Sequence, residues 1–294
     1  MPVTAGKSKT LPCNLCGGGK FKPALECEGF SFVRCASCGL VQRNPQPLNE
    51  EIISRYSSVY GGDYLAYEIK NEESFLKLQL LGLKDAGFDR IEKKIFSRYC
   101  ESGQPSLLDI GCATGALLAS LREKRIHCCG ASRETGWRVT GVEISPSADY
   151  AVEKRALDVR RLPLEENNFP PESFDVILAS HLIEHLNDPK GFLSETFRIL
   201  KKNGYILITT PNISGFQARL FGGRWRSAIF DHLYLFSKRT LSKMAADAGF
   251  KITGCKTWGG LAAGFAPPWL KKPVDFLAKP FGFGDVMIIT AEKI

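Results

Sequence analysis

The sequence predicts an α/β protein: a seven-stranded, mostly parallel sheet covered by helices, with a small cysteine-built module in front. Three observations point there. From residue 106 onward, apolar runs alternate with segments of helical period, the pattern of strands joined by crossover helices. The run Ser106-Leu107-Leu108 passes into Asp109-Ile-Gly-Cys-Ala-Thr-Gly115 and then into Leu117, Leu118 and Leu121 at helix spacing, so it reads as strand, tight turn and helix. Near the front, four cysteines stand in two Cys-x2-Cys pairs.

At 294 residues the chain is long enough for one large domain and a small one. With 44% apolar and 24% charged residues it has a globular composition, and no apolar run is long enough for a spanning helix. The first residues lack the apolar segment of a secretory signal, which predicts a cytoplasmic location. The net charge of +8 suits nucleic acid, an anionic membrane face, a phosphorylated substrate or simple solubility. Ten cysteines in that setting predict reduced thiols and metal binding rather than disulfides. The expected organisation is a four-cysteine module over 1–46, a helical cap or linker over 47–104, and the α/β domain over 105–294.

In the front module, Cys13-x2-Cys16 and Cys35-x2-Cys38 are separated by eighteen residues, the spacing of a structural zinc site. Each pair forms a knuckle that points two sulfurs at one ion, and Gly17 and Gly39 follow where the turn needs positive φ. The predicted result is a small zinc-ribbon-like unit with a closed thiolate shell. Cys27, Cys100, Cys112, Cys128, Cys129 and Cys255 have no partner spacing and read as ordinary thiols. Residues 48–100 read as largely helical, with tyrosines at 56, 60, 64 and 67 that suit helix packing.

The strands predicted in the main domain are 106–110, 138–143, 158–162, 174–179, 204–210, 250–257 and 285–291. Ligands of such sheets bind outside the carboxyl ends of the strands, so the residues at those ends carry the functional reading. Small residues at 111, 113 and 115 let a ligand approach the backbone of the first turn. Asp109 repels a pyrophosphate but suits a ligand bearing an ammonium and a sulfonium. Glu143 ends the second strand, where a carboxylate accepts both hydroxyls of a ribose or caps a helix. Residues 126–135 lengthen the path between these two acids and read as an insertion on the face away from the ligand.

With Asp109, Gly111, Ala113, Gly115 and Glu143 in this order, the chain resembles the class I S-adenosylmethionine-dependent methyltransferases. Ala113 departs from the glycine that many relatives carry. The resemblance implies a Rossmann-like class I methyltransferase fold, with Asp109, Ile110, Gly111, Cys112, Ala113 and Gly115 around the methionine part of the donor. It also implies Glu143 and Ile144 at the ribose, Leu164 and Glu165 at the adenine, and Ser180 at the donor pocket.

The next motif, His181-Leu-Ile-Glu184-His185, is also a zinc-protease helix signature, and on a helix 181, 184 and 185 share a face. In methyltransferases of this type the same stretch, running on to Asp188-Pro189, opens the helix after the fourth strand. Further on, Asp231-His-Leu-Tyr-Leu-Phe-Ser237 is similar to the Glu-His-x-x-Tyr-Phe-Ser stretch of zinc-containing nucleotide-sugar C-methyltransferases. That resemblance implies His232 as general base, beside Asp231 and His181. Asp231 stands where those enzymes have Glu, and Leu235 where they have Tyr. A histidine suits the role because its ordinary pKa lies near neutrality; the alternative is a substrate-orienting or structural ring.

The resulting expectation is a methyltransferase using S-adenosylmethionine, with structural zinc and a small-molecule acceptor such as a sugar or cell-envelope precursor. The net charge and the Arg/aromatic stretch 219–230 keep a ribosomal-RNA substrate open. A non-catalytic binding protein is the third reading. The segment 259–284, rich in Gly, Pro, Phe and Lys, either packs over the acceptor pocket or touches an anionic membrane. Oligomeric state is not readable.

Overall fold

The computed structural model describes residues 8–48, 50–52, 59–127, 134–259 and 282–294. The front module is an antiparallel meander of β1 (Phe21–Cys27), β2 (Phe30–Cys35) and β3 (Val41–Arg43). Gly29 at φ +80 makes the hairpin turn. Its sheet is completed from far along the chain, because Tyr234–Leu235 pairs antiparallel with Val41 and Gln42.

Two helices follow, α1 (Val59–Asp85) and α2 (Phe88–Phe96), with Gly87 at φ +82 turning the chain between them. The main domain then unrolls as β4 (Ser106–Ile110), α3 (Ala116–Glu123), β5 (Arg138–Val142), α4 (Ser147–Arg155), β6 (Val159–Arg160) and β7 (Phe174–Ser180). It closes with α5 (Pro189–Ile199), β8 (Leu200–Pro211), α6 (Phe216–Phe221), β9 (Tyr234–Leu235), α7 (Lys238–Asp247), β10 (Lys251–Trp258) and β11 (Val286–Glu292). The seven-stranded sheet has the order β6-β5-β4-β7-β8-β11-β10. Only β11 runs against its neighbours.

All seven expected strands are present. The edge strand β6 is shorter than 158–162, because Leu157 drops into the core while Leu162 is 50% exposed and leaves the ladder. Period-two alternation divides the apolar side chains between two faces. Leu108, Ile110, Ile177, Ile206 and Ile289 pack toward α5 and α7 together with Leu15, Leu40 and Tyr234 from the front of the molecule. Leu107, Val176, Leu178 and Leu207 pack toward α2 and α3 with Trp137. Each such burial contributes roughly 1.5–3 kcal/mol, so the central strands anchor the ligand-bearing turns rigidly. At the opposite edge Asp175 accepts from Ser106 N, Tyr99 Oη and Lys201 Nζ, which accounts structurally for the Phe-Asp start of β7.

Tyr64 and Tyr67 are 40% and 55% exposed, and Tyr67 meets the Phe75 ring of the same helix at 5.7 Å, while Tyr56 and the side chain of Tyr60 lie outside the described residues. In the 126–135 stretch, Ile126–His127 and Glu134–Thr135 form an antiparallel pair at the strands' starting edge. Residues 128–133, with Cys128 and Cys129, and the segment 260–281 lie outside the described residues. Among the described residues no helix is long and apolar enough to cross a membrane.

Candidate active site

The turn after β4 is built on positive φ: +75 at Gly111, +50 at Ala113 and +75 at Gly115. A Cβ on Gly115 would stand 2.5 Å from Leu157 and 3.0 Å from Ala151, so glycine is required there. Ala113 adopts the left-handed conformation that costs an L-residue about 1–2 kcal/mol. Its N–H donates to Glu143 Oε2 at 3.0 Å, and Ser145 N donates to Oε1 at 2.8 Å. Glu143 thereby ties the turn after β4 to the turn after β5. Each of its oxygens keeps a second lone pair. The Cys112 thiol is buried in the sheet core, so Cys112 offers the turn only its backbone.

Asp109 is buried, and its Oδ1 has no hydrogen-bond partner. Burial, reinforced by the nearby Glu143, pushes its carboxyl up to about 8. An orphaned buried acceptor is rare in a folded protein and marks a place where a donor from elsewhere belongs. Ile144 is half-buried beside it. Leu164 is buried in the same core as Ile110 and Val142, whereas Glu165 stands exposed on its short 3-10 turn.

Two residues beside these turns were not singled out by sequence. Glu68 of α1 is buried and accepts from Ser147 Oγ at 2.5 Å. Glu72, one turn on, accepts from Thr114 Oγ1 at 2.7 Å and pairs with Arg155. The signal available was two like charges four apart on one helix, an arrangement that disfavours an isolated helix. Burial, with Glu143 and Glu72 adding to it, pushes Glu68 up to about 7.

Past β7 the chain reaches half-buried Ser180 and then His181, which is half exposed at φ +52. The expected helix over the His181–His185 motif is corrected to a single 3-10 turn, Ile183–His185. Helix α5 begins only at Pro189, N-capped by Asp188 through Gly191 N. The zinc-protease geometry is therefore not formed.

Glu184 is fully buried; its Oε2 accepts from Thr210 Oγ1 at 2.9 Å, and its Oε1 lies 3.2 Å from His181 Nδ1. Burial acts to raise this carboxyl, but His181 and the other imidazoles overcome it and hold it at about 2. The rings of His185 and His232 meet edge to face at 4.6 Å. His185 Nδ1 bonds the Asp231 carbonyl at 3.0 Å, and His232 Nδ1 bonds the Ser227 carbonyl at 2.7 Å. As donors to carbonyls, both rings keep the Nε2 lone pair free of a proton. Burial, then His185, brings His232 down to about 4, and burial lowers His185 as well. The structure thus gathers His181 and His232 around Glu184, whereas Asp231 contributes its backbone carbonyl. Leu233 joins the pieces, with its N–H on the Glu184 carbonyl and its carbonyl on Arg43 N.

Among the described residues two clusters offer ligand atoms within 4.8 Å of one another: Cys13, Cys16, Cys35 and Cys38, and Glu184, His185 and His232. In the first, Sγ atoms pair at 3.4 Å (Cys13 and Cys38) and 3.5 Å (Cys16 and Cys35). A closed set of four unpaired thiols has the chemistry of a structural zinc site. In the Arg/aromatic stretch Trp225 is buried, Trp225 Nε1 and Arg226 Nε donate to buried Asp285 and Arg43 covers the Phe230 ring, while Arg219, Arg224 and Arg226 stay exposed.

Residues 72–254 match a family described as a methyltransferase domain. A ubiquinone biosynthesis O-methyltransferase of Bradyrhizobium sp. (strain ORS 278) is 32% identical over 141 residues, 46% of this chain and 51% of that protein. One of the same name from Rhodopseudomonas palustris (strain HaA2) is 32% identical over 142 residues, again 46% and 51%. The match therefore spans about half the length of these curated relatives. A solved structure from Thermotoga maritima, named a SAM-dependent methyltransferase and possible histamine N-methyltransferase, is 22% identical over 77% of this chain and 98% of that one, with a TM-score of 0.48.

Proposed function

The chain belongs to the methyltransferase domain family, and on that premise we propose that it transfers a methyl group from S-adenosylmethionine to a small-molecule acceptor. The observation that carries this reading is the orphaned, buried Asp109 Oδ1 inside a turn closed by Glu143. A ligand with an ammonium supplies the missing donor, and one with a ribose supplies hydroxyls for the free lone pairs of Glu143. In this reading Asp109, Gly111, Ala113 and Gly115 hold the methionine end, Glu143 and Ile144 the ribose, and Leu164 the adenine. Glu165 reaches the adenine edge from solvent.

S-adenosylmethionine supplies an electrophilic methyl carbon on sulfur; the acceptor's electron pair forms the new bond as the carbon–sulfur pair returns to sulfur. The protein's contribution is in-line positioning and a water-poor site. The acceptor's proton leaves toward His232 Nε2, whose ring the Ser227 carbonyl holds in the required tautomer. His181 and Asp231 frame that exit. The curated relatives suggest an oxygen acceptor of the ubiquinone-biosynthesis type, and the four-cysteine front suggests a sugar. Zinc on Cys13, Cys16, Cys35 and Cys38 is structural in this reading, and the domain division at 46 and 104 follows from it.

The test is a screen with labelled methyl donor against quinol precursors, nucleotide-sugars, lipid precursors and RNA. Label in a small-molecule fraction supports the reading; label only in RNA overturns it. His232→Gln is expected to lower kcat by about 10²–10⁴ with donor affinity intact. Near-normal turnover sinks the base assignment.

A second reading is favoured by the ligand atoms of Glu184, His185 and His232, which lie within 4.8 Å of one another, and by the Nδ1–carbonyl bonds of both rings, as metal-ligating histidines are usually held. A divalent ion on Glu184, His185 and His232 would then polarise the acceptor. Metal analysis decides between them: it predicts a second metal equivalent that His232→Ala removes and cysteine substitutions leave.

A further inference from the structure

Helix α1 lies against three parts of the donor edge at once. Glu72 takes the Thr114 hydroxyl in the turn after β4 and Arg155 from α4. Glu68 takes the Ser147 hydroxyl at the start of α4. Ser147 N in turn donates to Ser145 Oγ at 3.3 Å, and Ser145 N donates to Glu143 at 2.8 Å. Glu68, Glu143 and Asp109 therefore surround one turn from three different elements. Among the described residues Arg155 pairs with Glu72, and no ion pair reaches Glu68, Glu143 or Asp109. Asp109 Oδ1 has no donor at all, although the residue is 98% buried by its 2% exposure.

Three carboxylates with no ion-pair partner among the described residues form a site for positive charge. Resting on the methyl-donor reading above, the relevant charge is the sulfonium. S-adenosylmethionine carries an ammonium, a carboxylate and the sulfonium, and so has one net positive charge. When the carbon–sulfur pair returns to sulfur, S-adenosylhomocysteine is left with none. We propose that Glu68 is a donor-selecting residue: with Asp109 and Glu143 it makes the pocket hold the charged donor more tightly than the neutral product. Helix α1 is the cap that carries it, so transfer of the methyl group itself loosens the grip on what remains. Glu68 acts as a positioning charge and takes no part in bond making.

Calorimetry on the full chain at one fixed pH tests this with S-adenosylmethionine, S-adenosylhomocysteine and sinefungin, which carries an ammonium near the place of the sulfonium. The unaltered protein is expected to bind both cationic ligands about tenfold or more tighter than the neutral one. Glu68→Gln is expected to shrink that ratio to about threefold or less, and Glu68→Asp to leave it in between. Thr114→Val, which removes the hydroxyl that ties α1 to the turn without changing a charge, weakens all three ligands alike and keeps the ratio. An unchanged ratio in folded Glu68→Gln, or in Glu68→Asp should the former not fold, overturns the proposal. A protein that binds none of the three overturns the methyl-donor reading instead.

Discussion

Two buried carboxylates stand at the ends of adjacent strands, and their environments drive them in opposite directions. Asp109, at the end of β4, is held up at about 8; Glu184, just past β7, is held down at about 2. Burial is comparable, so burial does not explain the difference. Glu184 has Thr210 and His181 on its two oxygens, with two more imidazoles nearby. Asp109 faces another acid and leaves an oxygen unanswered. One carboxylate is part of a finished structure; the other keeps an unanswered acceptor that, on the proposed reading, a ligand completes. A buried acid with its partners present is architecture; without them it is a socket.

The largest expected effect is at the finished end. Glu184→Ala strands Thr210 and the imidazoles, and it should cost about 2–4 kcal/mol in denaturant unfolding. A loss below a few tenths would erase the contrast. At the socket the sign reverses. Asp109→Asn should raise the stability of the ligand-free protein by about 1–3 kcal/mol near neutral pH while weakening donor binding at least tenfold. A fall in stability like that of Glu184→Ala would break the comparison.

Stability against pH sharpens the same point. The folded pKa of Asp109 is raised, so its contribution is full below its ordinary 3.8 and is lost as pH rises through about 8. Glu184 and His232 are lowered; their contributions are full above 4.5 and 6.5 and are lost as pH falls through about 2 and about 4. Unfolding titrations should show Asp109→Asn flattening the decline between pH 4 and 8, and His232→Gln flattening the rise between 4 and 6.5. The smallest effect belongs to Ala113→Gly. Relief of the left-handed strain is offset by glycine's entropy, leaving stability within about 1 kcal/mol and donor affinity unchanged.

The sheet was legible because short apolar runs such as Val176-Ile-Leu-Ala179 and Tyr205-Ile-Leu-Ile208 match a buried parallel strand, and because the turn after β4 needs small residues where it has them. The cysteine module was legible by spacing. Glu68 and Glu72 were not, since nothing local says which face of a long helix meets which turn. The misplaced helix at His181 had its correction in plain view: Asp188-Pro189 is a cap and first-turn pair, so the helix starts there. The fourth strand of the front sheet is two residues long and carries no period to read.

That two-residue strand has a wider consequence. Arg43 of the front module and Glu184 of the main domain hold opposite sides of one residue, Leu233, next to His232. On the proposed reading, the turns that carry Asp109 and Glu143 are held within the main sheet and α1, whereas the His232 side takes part of its frame from the front sheet. On that reading, a change confined to the front sheet reaches the His232 side through Arg43 and Leu233 before it reaches the turn that carries Asp109.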